Sequence, residues 1–137
     1  MYPEYHLVVS LILMVAYYYF TGSAFGSLAA FCGSFFIDID HFFEFWDYKK
    51  RVVVNKEFFR NKYYKKKGKI YVVFHSYELI AAVFAIFWVL ELAVVGTGIA
   101  LGMGLHLLMD IINNGWSWKE YFLVYRLHKG FRNSKDL

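Results

Sequence analysis

Four apolar blocks, set apart by short polar breaks, run along this chain: 5–20, 24–37, 70–90 and 92–112. The third carries only His75 and Glu78 as ionisable groups, and the fourth only His106 and Asp110. A hydrocarbon core about 30 Å thick needs roughly 20 helical residues at 1.5 Å each, so these last two blocks are long enough to span it. The first two are shorter, and span only where flanking aromatic residues or local thinning of the bilayer extend them. Thr21-Gly22-Ser23 reads as a tight turn between antiparallel helices. Residues 1–6 hold no Lys or Arg, so the first block lacks the basic region of a signal peptide and reads as a retained helix. The pattern predicts an all-α fold: a small integral membrane four-helix bundle forming one domain over 1–137, with helices about 5–20, 24–46, 70–92 and 96–114. A tail over 116–130 follows, where Trp116, Trp118, Tyr121 and Tyr125 alternate with Lys119, Glu120 and Arg126, as in a helix lying in the membrane interface.

Composition strengthens this picture. The chain is 59% hydrophobic and 23% aromatic, far too apolar for a disordered segment and above the about 45–50% usual for a soluble domain. One cysteine, Cys32, excludes an internal disulfide framework. Ten of the fifteen basic residues fall within 49–69 and the other five within 119–135. With four spans, both regions lie on the same side as the N-terminus. Basic residues collect in short cytoplasmic loops, so both termini and a basic connector are expected in the cytoplasm, in a multi-pass protein of the plasma (inner) membrane. The turns near Gly22 and Gly96 then face outward. The run Lys65-Lys66-Lys67 reads as a solvated loop in contact with anionic membrane lipid, with no specific nucleic acid expected.

Candidate chemistry comes from where the ionisable residues fall. His6 starts helix one, Asp38, Asp40 and His41 end helix two, His75 and Glu78 start helix three, and His106 and Asp110 approach the end of helix four. In an up-down-up-down bundle all of these lie at the cytoplasmic end, which is how metal sites in bundles are built. His106 and Asp110 are spaced i, i+4, while His75 with Glu78 and Asp38 with His41 are spaced i, i+3, so each pair shares a helix face. Imidazoles and carboxylates without a thiolate suit Zn²⁺ first, with Mn²⁺ or Fe²⁺ as alternatives, and the number of ligands accommodates one or two ions. The plainer alternative is a polar packing layer, in which each pair only fixes helix contacts. Independent packing polars have no reason to gather at one end, however. Gly98, Gly102 and Gly104 read as small-residue packing surfaces, and Asp40 or Glu44 alone as solvated helix-end carboxylates.

Gly33 followed by Asp38-Ile39-Asp40-His41, then His75-Ser76, then Gly104-Leu105-His106 with Asp110, resembles the YdjM-like membrane-bound metal-dependent hydrolases. That family is similar in turn to helical zinc-dependent phospholipases C and related nucleases. The resemblance implies His6, Asp38, Asp40, His41, His75, His106 and Asp110 as site residues. This chain has Ile37 where a proline often precedes the first aspartate, and Ile70-Tyr71 where a His-Arg pair often stands. Arg126 is the candidate substitute for that missing phosphate clamp, and Glu78 a candidate replacement ligand.

The expected activity is hydrolysis of a phospholipid or another phosphodiester at the cytoplasmic membrane face, with Asp40 or Glu78 as the catalytic base. The alternative is a non-catalytic metal-binding membrane protein with a structural or metal-handling role, distinguished by a coordination sphere closed by protein ligands.

Overall fold

The computed structural model describes residues 3–49, 71–114 and 117–132. Among them every regular element is helical: α1 (Pro3–Thr21), α2 (Ala24–Phe35), a 3-10 turn (Phe36–Asp38), α3 (Ile39–Lys49), α4 (Tyr77–Val89), α5 (Ala93–Asn114), a second 3-10 turn (Trp118–Tyr121) and α6 (Leu123–His128). Most of the predicted basic connector, residues 50–69, lies outside the described residues, as does Trp116 at the head of the predicted tail.

Helix α2 packs against both α1 and α5, and α4 packs against α5. Small residues set the closest of these contacts. A Cβ added at Gly33 would lie 2.6 Å from the carbonyl oxygen of Ile99, and one at Gly98 or Gly102 would overlap the carbonyls of Gly26 or Ala30. The α2–α5 seam is therefore backbone against backbone. Gly104 has nothing within 4 Å of an added Cβ, so it takes no part in that seam. At the turn between α1 and α2, Gly22 has φ 65° and Ser23 caps α2 by accepting from the Gly26 N–H at 3.0 Å. Tyr17 donates to the Val94 carbonyl at 2.6 Å near that same end. At the opposite end a buried cluster of Ile37, Met103, Leu107 and Tyr121 forms the floor on which the polar residues stand.

Among the described residues, two helices are long and apolar enough to cross a membrane, over Glu4–Thr21 and Ala93–Asn113. The outer side of α1 is apolar, with Leu11, Ile12, Val15 and Tyr19 exposed, and no residue of α4 is fully buried, although Tyr77, Leu79 and Ile80 pack partly buried against the core.

Several boundaries differ from those the pattern predicts. The helix expected over 24–46 is interrupted by the 3-10 turn at Phe36–Asp38, which pairs backbone groups three apart instead of four and leaves the Ser34 carbonyl for another partner. The helix expected over 70–92 starts only at Tyr77 and runs 13 residues, about 20 Å, so it is shorter than a full span. Residues 71–76 are not helical because side chains from elsewhere occupy their backbone groups. The Tyr71 N–H donates to Glu44 Oε1 at 2.7 Å and the Phe74 N–H to Asp40 Oδ2 at 2.9 Å, while Arg126 donates to the carbonyls of Val72 and His75.

The outward turn predicted near Gly96 falls instead at 90–92, where Glu91 takes φ 60°. Its N–H reaches Trp88 O at 3.1 Å and that of Leu92 reaches Phe87 O at 2.9 Å, closing α4 by a left-handed C-terminal motif. Gly96 lies inside α5, where an added Cβ would collide with Phe87. The tail predicted as one interfacial helix over 116–130 is a 3-10 turn followed by six residues of α6, because Phe122 between them is extended.

Candidate metal centre

Five elements converge at the end of the fold away from Gly22. His6 comes from the first turns of α1, Asp38 from the 3-10 turn, His41 from α3, His75 from the segment before α4, and His106 with Asp110 from the last turns of α5. Their ligand-capable atoms form two groups, His6 with His106 and Asp110, and Asp38 with His41 and His75; within each, these atoms lie within 4.8 Å of one another. The two carboxylates join the groups into one. Asp38 Oδ1 lies 3.4 Å from His41 Nε2, 3.3 Å from His75 Nε2 and 3.4 Å from His106 Nε2. Asp110 Oδ2 lies 3.7 Å from His75 Nε2 and 3.6 Å from His106 Nε2, and its Oδ1 lies 3.7 Å from His6 Nε2. The His6 and His106 rings stack at 4.2 Å between centroids.

Hydrogen bonds on the far side of two rings decide what they present to the cluster. His106 donates from Nδ1 to the Ser34 carbonyl at 2.8 Å, because a carbonyl can only accept. His75 Nδ1 lies 3.2 Å from Asp40 Oδ1 and 3.3 Å from Oδ2, and donates to that carboxylate in the same way. In each neutral ring the Nε2 lone pair then points inward. Both His75 Nε2 and His106 Nε2 are buried and lack a hydrogen-bond partner. Lone pairs thus face carboxylate oxygens at 3.3–3.7 Å, an arrangement that repels itself unless a cation or protons lie between. A tetrahedron with metal–ligand bonds of about 2.1 Å has edges of about 3.4 Å, so the spacing fits a divalent ion. The arrangement of a carboxylate or carbonyl behind an imidazole is also the usual way of orienting a metal-binding histidine. A His/Asp group that could hold a metal ion is therefore present, and its donor set is nitrogen and oxygen.

One member of the cluster is open. The Asp38 side chain is 40% exposed, whereas those of His75, His106 and Asp110 are between 0% and 7%. Phe36 and Ile39, close to Asp38 in the chain, and Phe74, whose backbone N–H donates to Asp40, are exposed apolar residues.

Three residues predicted for the site do other work. Asp40 stands behind His75, holding its ring and the Phe74 N–H, and is not among the converging ligand atoms. Glu78 is no ligand partner of His75, because His75 lies before the helix and the two share no helical face. Its Oε2 accepts from Leu123 N–H at 2.9 Å and its Oε1 from Val124 N–H at 3.1 Å, so both oxygens are engaged at the start of α6. Arg126, expected as a phosphate clamp, is buried and donates to the Val72 and His75 carbonyls. Burial pulls its pKa below the ordinary value, opposed by the charges of Asp40, Glu78 and Glu44.

Two contributors escape a sequence reading. Ser34 acts through its carbonyl, which no side-chain motif reveals. Glu44, expected as a solvated helix-end carboxylate, is buried and receives the Tyr71 N–H. Its spacing four after Asp40 on α3 was the available signal.

No family model matches this chain, and neither a curated protein nor a solved structure matches it.

Proposed function

We propose that the chain is a membrane-bound metal-dependent hydrolase, a phosphoesterase acting at the cytoplasmic face of the plasma (inner) membrane. The observation that carries the reading is the pair of buried, unpartnered Nε2 atoms of His75 and His106 directed at the Asp38 and Asp110 carboxylates. The motif order that resembles the YdjM-like hydrolases supports it. So do the two apolar helices of spanning length and the exposed apolar sides of α1 and α4, which suit lipid as their solvent. In this reading α1, α2–α3, α4 and α5 make a four-helix membrane bundle, with the basic residues of 49–69 holding its site end in the cytoplasm.

Zinc is the preferred ion, as one or two atoms, with Mn²⁺ or Fe²⁺ also compatible with nitrogen and oxygen ligands. When bound, such an ion supplies Lewis acidity, lowering the pKa of a water toward about 7 and polarising a phosphoryl oxygen. His6, His41, His75, His106, Asp38 and Asp110 would hold it. Asp40 and the Ser34 carbonyl fix the ring orientations. Asp38, the most exposed of these side chains, would be the ligand nearest to incoming water or substrate. Exposed apolar residues near Asp38 in the chain, Phe36 and Ile39, suit an amphipathic phosphoester such as a phospholipid as the substrate class.

A second reading, a non-catalytic metal site, is favoured by one observation: the only guanidinium predicted as a phosphate clamp is bonded to backbone carbonyls. One experiment separates the two. Zinc-loaded protein in detergent is assayed against a panel of phospholipids and phosphodiesters beside His106→Ala and Asp38→Ala, with metal content measured in each. Hydrolysis that disappears with the metal in both variants supports the enzyme. Near-stoichiometric metal without release from any substrate favours the second reading, and a wild type that binds no metal after zinc and manganese supplementation removes both.

A further inference from the structure

The segment 71–76 carries His75 yet has no helix of its own to hold it in place. Its backbone is held by side chains from two other elements. Glu44 and Asp40 of α3 take the N–H groups of Tyr71 and Phe74, and Arg126 of α6 takes the carbonyls of Val72 and His75, the latter at 3.0 Å. The connection also runs the other way, because Glu78, three residues after His75, accepts the first two N–H groups of α6. The segment and α6 are thus tied by bonds in both directions, across more than forty residues of sequence.

We propose that Arg126 is a positioning residue for His75, making the C-terminal helix a working part of the metal centre. The proposal rests on the metal reading above. Asp40 holds the ring of His75 at Nδ1, and Arg126 holds the same residue at its backbone carbonyl. With both ends fixed, Nε2 stays 3.3 Å from Asp38 Oδ1. A guanidinium suits the task because its planar fork offers separate N–H groups to two carbonyls three residues apart. Without it, two carbonyls in a buried setting lose their charged donor, the segment turns toward water, and Nε2 leaves the cluster.

The test measures zinc affinity by chelator competition and the visible spectrum of bound Co²⁺, on the full chain in detergent. Arg126→Ala and Arg126→Lys are made in the wild type and in His75→Ala. Arg126→Ala is expected to weaken zinc binding about 10–100-fold, the range for partners that orient metal ligands, and to alter the Co²⁺ spectrum. Arg126→Lys, with a single point-like ammonium, falls between it and the wild type. In the His75→Ala background Arg126→Ala adds almost nothing, since its effect passes through a residue already removed. Wild-type affinity in Arg126→Ala overturns the proposal, as does an equal loss in both backgrounds, which marks a merely structural role. If Arg126→Ala does not fold, unchanged affinity in Arg126→Lys overturns it. A wild type that binds neither ion overturns the metal reading itself.

Discussion

The Nδ1 of His106 on α5 donates to the carbonyl oxygen of Ser34 near the end of α2, 2.8 Å away and 72 residues earlier in the chain. That one bond links helix packing to site chemistry. It exists because the glycine seam brings α2 and α5 into backbone contact, and because the 3-10 turn after α2 leaves this carbonyl without its usual helical partner. Its consequence is a fixed tautomer whose Nε2 faces Asp38 and Asp110.

Metal affinity is expected to fall as pH falls, because imidazole Nε2 atoms must be deprotonated to bind. Metal and protons compete for the same Nε2 atoms, and although burial lowers the pKa of His75 the Asp38 and Asp40 carboxylates raise it to about 10, so apparent zinc affinity should fall with pH across the whole range from pH 8 to pH 5.5. Chelator competition between pH 8 and pH 5.5 measures this; a flat profile excludes imidazole ligation.

Asp38 and Asp40 should behave differently although they are two residues apart. Asp40→Asn removes the charge behind His75 and is expected to weaken zinc binding about 10–100-fold while leaving the same number of ligands. Asp38→Asn removes the negative charge of the carboxylate whose Oδ1 lies within 3.4 Å of three Nε2 atoms and is expected to cost more. Calorimetric titration of both variants ranks them, and the reverse order would reassign the two carboxylates.

Gly102→Ala and Gly104→Ala form a matched pair on α5. The first places a Cβ against the Ala30 carbonyl and 2.8 Å from the Ser34 nitrogen, where backbone cannot yield cheaply. A loss of about 1–3 kcal/mol is expected, with weaker metal binding as Ser34 moves from His106. The second meets nothing within 4 Å and should be neutral or stabilising by up to about 1 kcal/mol through helix propensity. Thermal unfolding in detergent distinguishes them.

The membrane reading predicts which ends face which side. In a Cys32→Ser background, Ser23→Cys and Glu91→Cys should react with an impermeant maleimide on intact cells, since both lie at turns away from the site. Lys129→Cys should react only after the membrane is permeabilised. Opposite labelling reverses the orientation, and labelling of all three from one side removes the multi-pass bundle.

The sequence alone determined what depends on local composition and on the order of residues. The all-α class followed from apolar blocks separated by polar breaks. The turn at Gly22 followed from its flanking residues, and α1 lies within a residue or two of its predicted ends. His6, Asp38, His41, His75, His106 and Asp110 were legible as ionisable groups at the ends of apolar blocks, which is where their cost demands partners.

Tertiary structure decided the rest, because hydrogen-bond partners far apart in sequence compete with helix formation. An apolar run from 70 to 90 reads as one helix until Glu44, Asp40 and Arg126 claim the backbone of 71–76. The same competition turned Glu78 and Arg126 from site candidates into supports, since α6 packs where their side chains can meet its amides and the segment's carbonyls. Ser34 entered the site through a backbone oxygen, a group that every residue carries and that only its surroundings can single out.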